Sequence, residues 1–237
     1  MDPDEGGADR PTTASPSLLV SAAVEGRVDA GLWLQPSPET SPSLSVGAVR
    51  ARSSPRNPNL ERVSSLTWWE NACPNRTDLP RKIDEFPLLG IAEVDEGFDA
   101  PTGVQGWHFR RYPRPGQGIL SGQPTLGLLV VLVGLRQPDQ AHAFRDWADF
   151  THIRHIAACD DSEGLMITPY ENASGGDPRF LHVYELATPD PEEWFKGMPD
   201  RVAKHLGGGP GTPAFDDWAW HPALRILYVN TFRRVDA

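Results

Sequence analysis

The sequence predicts an α+β protein built from two similar halves. Each half contains an aromatic-Glu-Asn triplet, within Leu-Thr-Trp-Trp-Glu-Asn in the first and Ile-Thr-Pro-Tyr-Glu-Asn in the second. After each triplet comes an apolar run that ends in Glu, and each half then closes on Phe-Arg-Arg. Because these landmarks recur in one order, we interpret the chain as a tandem duplication. The matching segments are 66–71 with 167–172, 88–93 with 180–185, and 109–111 with 232–234.

The composition argues against several classes of partner. The 237 residues include 32 acidic and 22 basic side chains, so we expect neither nucleic acid nor an anionic membrane as a partner. No apolar run approaches the roughly 20 residues of a membrane-spanning helix. The acidic start at 1–5 lacks the basic region of a secretion signal. We therefore expect a cytoplasmic protein that acts on a small molecule, with a homodimer left open as its oligomeric state.

The first half is predicted to contain four strands and little helix. Residues 1–16 have almost no apolar side chains, and we expect a disordered leader there. Residues 17–24 fit an extra edge strand or a single helical turn. The first repeat spans 17–112, and a linker rich in Pro and Gly spans 113–125. Strands are expected at 29–35, 63–71, 86–94 and 103–112, with a short helix at 44–52.

The second repeat, 126–237, has the clearer pattern. A Val-rich apolar run begins it, and Pro and Asp in the following turn begin a helix. The predicted elements are a strand at 126–135, a helix at 137–158, strands at 165–171 and 179–186, a helix at 191–206 and a strand at 225–232. This β-α-β-β-α-β order is that of a ferredoxin-like unit.

A ferredoxin-like sheet carries helices on one face only, so its other face must be buried elsewhere. Two fused units bury both faces when their sheets pack together, which predicts an intramolecular α/β barrel. The first repeat leaves too few residues between 93 and 109 for a second helix. The halves are therefore unequal, and we expect the main pocket to lie against residues 126–206.

The helix of the second repeat carries a recognisable motif. Residues 144–153 read Phe-Arg-Asp-Trp-Ala-Asp-Phe-Thr-His-Ile after a Val-rich strand. This segment resembles the F-x-x-W-x-x-x-x-H-I helix of the dimeric α/β-barrel superfamily. That superfamily includes cofactor-free monooxygenases, polyketide cyclases, muconolactone isomerases and, as tandem repeats, haem enzymes of the chlorite dismutase type. The resemblance covers 126–234 and implies two fused ferredoxin-like repeats that form an intramolecular dimeric α/β barrel.

His152 is the leading candidate for chemistry. The resemblance implies that it faces the pocket between helix and sheet, where an imidazole can act as a general base near neutral pH. Five residues separate Trp147 from His152, about 140° on an α-helix, so Trp147 is expected to pack on the sheet and His152 to sit at the pocket mouth. His155 is a candidate partner. The two histidines also match metal-ligand spacing, but without a third ligand we expect no metal. Alternatively, His152 has only a structural role, in which it caps the end of the helix or forms a hydrogen bond there.

The two Glu-Asn pairs are the next candidates. Adjacent strand residues face opposite sides, so only one member of each pair can enter the barrel. An inward Glu171 would suit proton shuttling, and an inward Asn172 could hold a carbonyl oxygen. We favour a structural alternative, in which each Asn caps the following turn and each Glu pairs with an Arg. The pairs considered are Glu70 with Arg110 and Glu171 with Arg233. Expected substrate-binding residues are Trp147, Asn172, Tyr170, Arg233, Glu70 and Trp69.

These observations favour a small-molecule enzyme of specialised metabolism. We expect a cofactor-independent isomerase, cyclase or lyase acting on an apolar carbonyl compound, with Asn or Arg side chains holding the developing oxyanion. The alternatives are a cofactor-free monooxygenase, a non-catalytic ligand-binding barrel and a haem-binding barrel. A strongly shifted pKa inside a closed cavity would favour the enzyme. The aromatic loop around His221 is expected to seal the barrel end.

Overall fold

The computed structural model describes residues 31–37, 63–94, 98, 106–120, 122–160 and 164–235. The predicted leader, the segment 17–24 and the predicted helix at 44–52 lie outside these residues. No helix within the described ranges is both long and apolar enough to cross a membrane.

Nine strands form the sheet in the described part of the chain. The first half contributes β1 (Gly31–Ser37), β2 (Val63–Asn71), β3 (Leu88–Val94) and β4 (Trp107–Arg111). A short strand, β5 (Gln117–Ile119), lies in the predicted linker. The second half contributes β6 (Gly127–Leu135), β7 (Leu165–Asn172), β8 (Phe180–Leu186) and β9 (Leu224–Arg234).

The helices that the structure describes belong to the second half. A 3-10 turn (Pro138–Gln140), α1 (Ala141–Trp147), a π-helical turn (Ala148–His152) and α2 (Ile153–Ala158) follow one another without a break. We call residues 138–158 the bulged helix. Two further helices are α3 (Pro191–Leu206) and α4 (Pro213–Ala219). Asp190 caps α3, and Gly207, with φ of 76°, ends it in the left-handed conformation that glycine adopts most easily.

The strand order is the same in both halves. It runs β4-β1-β3-β2 in the first half and β9-β6-β8-β7 in the second, and every neighbouring pair is antiparallel. β2 pairs with β9 and β4 pairs with β7, so the eight long strands close on themselves. The protein is thus an α+β protein with the ferredoxin-like strand order, as the sequence predicted, and its sheet forms an α/β barrel.

The Glu of each aromatic-Glu-Asn triplet lies opposite an Arg of the Phe-Arg-Arg segment from the other half. Glu70 lies opposite Arg233 on the β2–β9 seam, and Glu171 lies opposite Arg110 on the β4–β7 seam. The pairs expected from the sequence joined Glu70 to Arg110 and Glu171 to Arg233, and they are wrong. The reason is topological: the last strand of each half is an edge of its own sheet, and it pairs with the other half to close the barrel.

Apolar side chains fill the barrel. Side chains from all eight long strands form one buried cluster, including Trp69, Phe109, Tyr170, Tyr228 and Phe232. A second cluster lies on the outer face of the second half, where α3 and the bulged helix cover the sheet. The period-two alternation of β7 and β8 supplies both clusters, because successive side chains point to opposite faces.

Candidate functional site

The π-helical turn brings Trp147 and His152 together. In a π-helical turn hydrogen bonds join residues five apart, so these two side chains are in contact, with ring centroids 5.0 Å apart and an interplanar angle of 31°. The expected separation of 140° is therefore wrong, since it assumed α-helical geometry throughout. Trp147 is half-buried and packs, as predicted, against a cluster that includes Val133 and Leu224 of the sheet; its Nε1 donates to the Asp217 carbonyl at 2.7 Å. π-Helical turns occur frequently at functional sites.

His152 is held between two indole rings. Its imidazole stacks on Trp218 at 5.3 Å with an interplanar angle of 10°, and Trp147 covers it from another side. Nδ1 lies 2.9 Å from the Trp218 carbonyl oxygen, and the Trp218 indole donates back to the His152 carbonyl at 3.1 Å. Because a carbonyl only accepts, Nδ1 carries the proton and the lone pair is on Nε2. Burial lowers the pKa of His152, so the imidazole is neutral at pH 7.

A fully buried cluster of charged groups lies on the sheet-facing side of the bulged helix. Arg145 pairs with Asp149 one turn on, and its Nη1 lies 2.6 Å from His182 Nε2. The Arg145 guanidinium also lies 4.7 Å from the Tyr112 ring and 5.1 Å from the Phe180 ring. Arginine only donates, so His182 accepts through Nε2. Burial lowers the pKa of Arg145, raises that of Asp149, and holds that of His182 well below its ordinary range.

Arg114 connects this cluster to the surface. It donates to Asp149 at 2.9 Å and to Asp146 at 2.6 Å, while Gln117 donates to the Asp149 carbonyl at 2.5 Å. The linker between the halves is thereby fixed to the bulged helix. None of the cluster's three buried members was among the site residues predicted from the sequence. Its signals were Arg145 and Asp149 four residues apart on one helix, and His182 in an otherwise apolar strand.

His155 takes part in a different contact. Its ring lies 5.4 Å from that of His205 on α3, and its Nδ1 is buried without a hydrogen-bond partner among the described residues. Burial, followed by the neighbouring His205, lowers the pKa of His155. The structure therefore directs His152 toward α4 and His155 toward α3. Within the described ranges no group of three or more His, Cys, Asp or Glu side chains is arranged to hold a metal ion.

The two landmark asparagines shape turns. Asn71 Oδ1 accepts from the Cys73 amide at 2.9 Å, and Asn172 Oδ1 accepts from the Ser174 amide at 2.9 Å. Their Nδ2 atoms donate to the Phe86 carbonyl at 3.0 Å and the Pro178 carbonyl at 2.9 Å. This confirms the interpretation that each Asn caps its turn. Both groups of each amide are engaged, which leaves Asn172 poorly placed to hold a substrate carbonyl.

The remaining predicted site residues are dispersed. Glu70 is exposed, and Glu171 pairs with Arg179. Arg233 lies 3.6 Å from Asp190, on the outside of the barrel. Two further predicted residues, Trp69 and Tyr170, are buried inside the barrel, where burial raises the pKa of the Tyr170 phenol.

Glu185, which was not among the predicted site residues, has a strongly raised pKa. The side chain is completely buried in the barrel, and its Oε1 accepts from the Thr125 hydroxyl at 2.8 Å. Its Oε2 has no hydrogen-bond partner within the described ranges. Burial raises the pKa to about 8, so the carboxyl group is largely protonated at neutral pH.

The aromatic loop after α3 packs on the bulged helix. Trp218 contacts His152, and the His221 ring lies 5.5 Å from Trp147, with its Nδ1 accepting from the Ala223 amide at 3.2 Å. The expectation that this loop seals the barrel end is therefore wrong. α4 buries Phe215 and Trp218 against the outer face of the second half, and this keeps the loop on the helical side.

No protein-family model matches the chain, and a search of curated proteins found no match. Several solved structures are similar to this chain, and they include the following three proteins. A chlorite dismutase variant from Candidatus Nitrospira defluvii is 9% identical, with 90% of this chain and 93% of that chain covered and a TM-score of 0.47. A dye-decolorizing peroxidase from Bacteroides thetaiotaomicron is 11% identical, with coverage of 88% and 93% and a TM-score of 0.43. A protein from Lactobacillus acidophilus proposed to be a monooxygenase is 10% identical, with coverage of 87% and 93% and a TM-score of 0.44.

Proposed function

We propose that this chain is a small-molecule enzyme that transfers protons without a cofactor, as an isomerase, cyclase or lyase, with His152 as its base. The observation that carries the proposal is the tether from His152 Nδ1 to the Trp218 carbonyl at 2.9 Å. It orients the ring and leaves the Nε2 lone pair without a partner among the described residues. A lowered pKa keeps that lone pair available at neutral pH.

The proposed step is proton transfer from carbon. His152 Nε2 takes a proton from the carbon next to a substrate carbonyl, and the C–H electron pair moves to form an enolate on the carbonyl oxygen. The resulting imidazolium still donates through Nδ1 to the Trp218 carbonyl, and its positive charge lies against the faces of Trp147 and Trp218. Because burial disfavours the charged ring, the imidazolium readily returns the proton to another substrate atom.

The packing of the barrel favours a site on the helical side of the sheet. Large apolar side chains, among them Trp69, Phe109 and Phe232, occupy the barrel interior. This observation weakens the alternative of a non-catalytic barrel that holds its ligand between the two sheets. The buried Arg145–Asp149 pair fixes the bulged helix on the outer face and thereby supports the position of His152.

We also infer that the two halves are fused repeats. Three features support this: the strand order repeats, both landmark asparagines make the same turn, and the two seams between the halves have matching registers. The Trp147 and His152 pattern occurs in the second half alone. We therefore propose one proton-transfer site per chain, in the second half.

Deuterium exchange tests the proposed function directly. The protein is incubated in D2O with apolar ketones such as 2-tetralone, and loss of the proton next to the carbonyl is followed by NMR. His152→Asn keeps an amide donor for the Trp218 carbonyl and removes the base, so we expect the catalysed rate to fall by about 100-fold or more. His142→Asn, at an exposed position on the same helix, is the matched control and should leave the rate unchanged. Equal rates in wild type and His152→Asn would contradict the proposal.

A spectroscopic control distinguishes the proposed proton transfer from the alternative of a haem-binding barrel. The full chain is expressed with added haem precursor, and the purified protein is scanned for a Soret band. A band that titrates one haem per chain would favour the haem-binding barrel. A second control measures oxygen uptake with the same ketones, since the monooxygenase alternative requires oxygen and the proposed proton transfer does not.

A further inference from the structure

His155 and His205 come from different helices and lie next to each other. His155 is on α2, His205 is in the last turn of α3, and their ring centroids are 5.4 Å apart with an interplanar angle of 55°. At that tilt the two rings do not stack face to face. The sequence spacing paired His155 with His152, whereas the structure places His152 against Trp218 and gives His155 a second imidazole from α3.

Neither of these two rings makes a hydrogen bond within the described part of the chain. Nδ1 of His155 is buried and lacks a partner there, although the rings of His152, His182 and His221 each make a hydrogen bond. A buried nitrogen without a partner is unfavourable, and an ion or a water molecule commonly satisfies such an atom. The His155 ring therefore points to a ligand between α2 and α3.

The separation of the two rings matches that of two imidazoles bound to one metal ion. Zn²⁺ binds histidine nitrogen at about 2.0–2.1 Å, which places two ring centres about 5–5.5 Å apart when the angle between the ligands is near tetrahedral. Burial, followed by the neighbouring His205, lowers the pKa of His155, so this imidazole is neutral at pH 7 and has a lone pair for a metal. His205 is exposed, so water can occupy the remaining coordination positions.

We propose that His155 and His205 together bind one Zn²⁺ or a similar ion such as Ni²⁺ or Cu²⁺, for which imidazole is a preferred ligand. The bound ion joins the bulged helix to the C-terminal end of α3 and provides the partner that His155 Nδ1 lacks. Within the described ranges no third His, Cys, Asp or Glu is grouped with this pair to hold a metal, so the site is open and weak. The positive charge of Arg154, which also lowers the pKa of His155, limits the affinity further.

Calorimetry of the full chain with zinc chloride, after treatment with EDTA and dialysis, tests this assignment. We expect one Zn²⁺ per chain with a Kd of about 100 µM or tighter. His155→Gln and His205→Gln should each weaken binding about tenfold or more, because a single imidazole remains. His142→Gln, at an exposed position on the bulged helix, is the matched control and should bind as the wild type does.

Cys159→Ser is a second control, because the Cys159 thiol donates to the Ile156 carbonyl at 3.3 Å. We expect its affinity for Zn²⁺ to equal that of the wild type. Zn²⁺ should also raise the melting temperature of the wild type and leave that of His205→Gln unchanged, because an ion that binds only the folded state stabilises it.

Three results would overturn the proposal: no binding at ~1 mM Zn²⁺, unchanged affinity in His205→Gln, or loss of binding in Cys159→Ser. His205 is exposed, so its variant tests the site even if His155→Gln unfolds. His152→Asn should bind Zn²⁺ as the wild type does, and EDTA should leave the deuterium exchange rate unchanged. These two measurements separate failure of the metal site from failure of the proton-transfer site.

Discussion

Glu185 has a carboxyl group that the barrel encloses completely, and its ionisation should limit stability at high pH. The side chain follows Leu181 and Val183 on the inward face of β8 and receives one hydrogen bond, from Thr125. Burial is the main cause of its raised pKa, and the nearby Glu93 carboxylate adds to it. We predict that Glu185→Gln, which keeps the shape and removes the titration, makes the protein more stable than wild type in alkaline buffer.

The sign and size of this effect follow from the pKa. The folded-state pKa rises from 4.5 to about 8, so the folded protein retains a proton that the unfolded chain has lost over that interval. Wild-type stability should therefore fall as pH rises from 4.5 to 8 and stay level, for this group, above 8. A shift of this size corresponds to on the order of 5 kcal/mol. The Glu185→Gln variant lacks this loss.

Urea denaturation followed by tryptophan fluorescence at pH 5, 7 and 9 measures the difference. We expect the free energies of unfolding of wild type and Glu185→Gln to agree within ~1 kcal/mol at pH 5, and the variant to be several kcal/mol more stable at pH 9. Asp200→Asn, at an exposed site, is the control and should match wild type within ~0.5 kcal/mol throughout. A variant that is less stable than wild type at pH 9 would show that Glu185 is ionised and paired in the fold.

Three further substitutions test the packing of the site and turns by urea denaturation. Asn172→Ala should cost about 1–3 kcal/mol, because it removes the three hydrogen bonds that the side chain makes in the turn; no measurable loss would contradict that role. Arg145→Met should cost about 3–5 kcal/mol, because it leaves the buried Asp149 with Arg114 as its one ionic partner among the described residues, and adding Asp149→Leu should recover much of it; an additive second loss would argue against the pair. His152→Ala should cost about 1–3 kcal/mol, and His152→Asn less, since Asn can still donate to Trp218; equal losses would mean that the tether contributes nothing.

The sequence predicted the architecture because strand patterns and turn residues act locally. The aromatic-Glu-Asn triplets lie at the ends of β2 and β7, and the Phe-Arg-Arg segments lie on β4 and β9. Alternation along these strands implied that only one member of each pair faces inward but left open which one, and Asn capped the turn as its short amide side chain favours. The pairing of β2 with β9 and of β4 with β7 depends on closure of the whole sheet. No local sequence pattern encodes that closure.

The site was harder to predict, because its geometry depends on one extra residue in a helical turn. A period of 3.6 residues per turn places Trp147 and His152 on different faces of the helix, whereas the π-helical turn brings their rings into contact. His152 was selected as a candidate from the sequence, but its ring contacts were not predicted correctly. The spacing of Arg145 and Asp149 allowed them to pair but did not predict their burial, since charged residues on a helix are usually solvated. Their burial depends on His182, which is distant in sequence and lies on β8.

The pH dependence of deuterium exchange tests most directly whether His152 is the base. Burial lowers its pKa below the ordinary value of 6.5, so the catalysed rate should rise with an inflection below pH 6.5 and be level between pH 7 and 8. His152→Asn should lose both the rate and the inflection. An inflection above pH 6.5, or one that persists in His152→Asn, would contradict the assignment of His152 as the base.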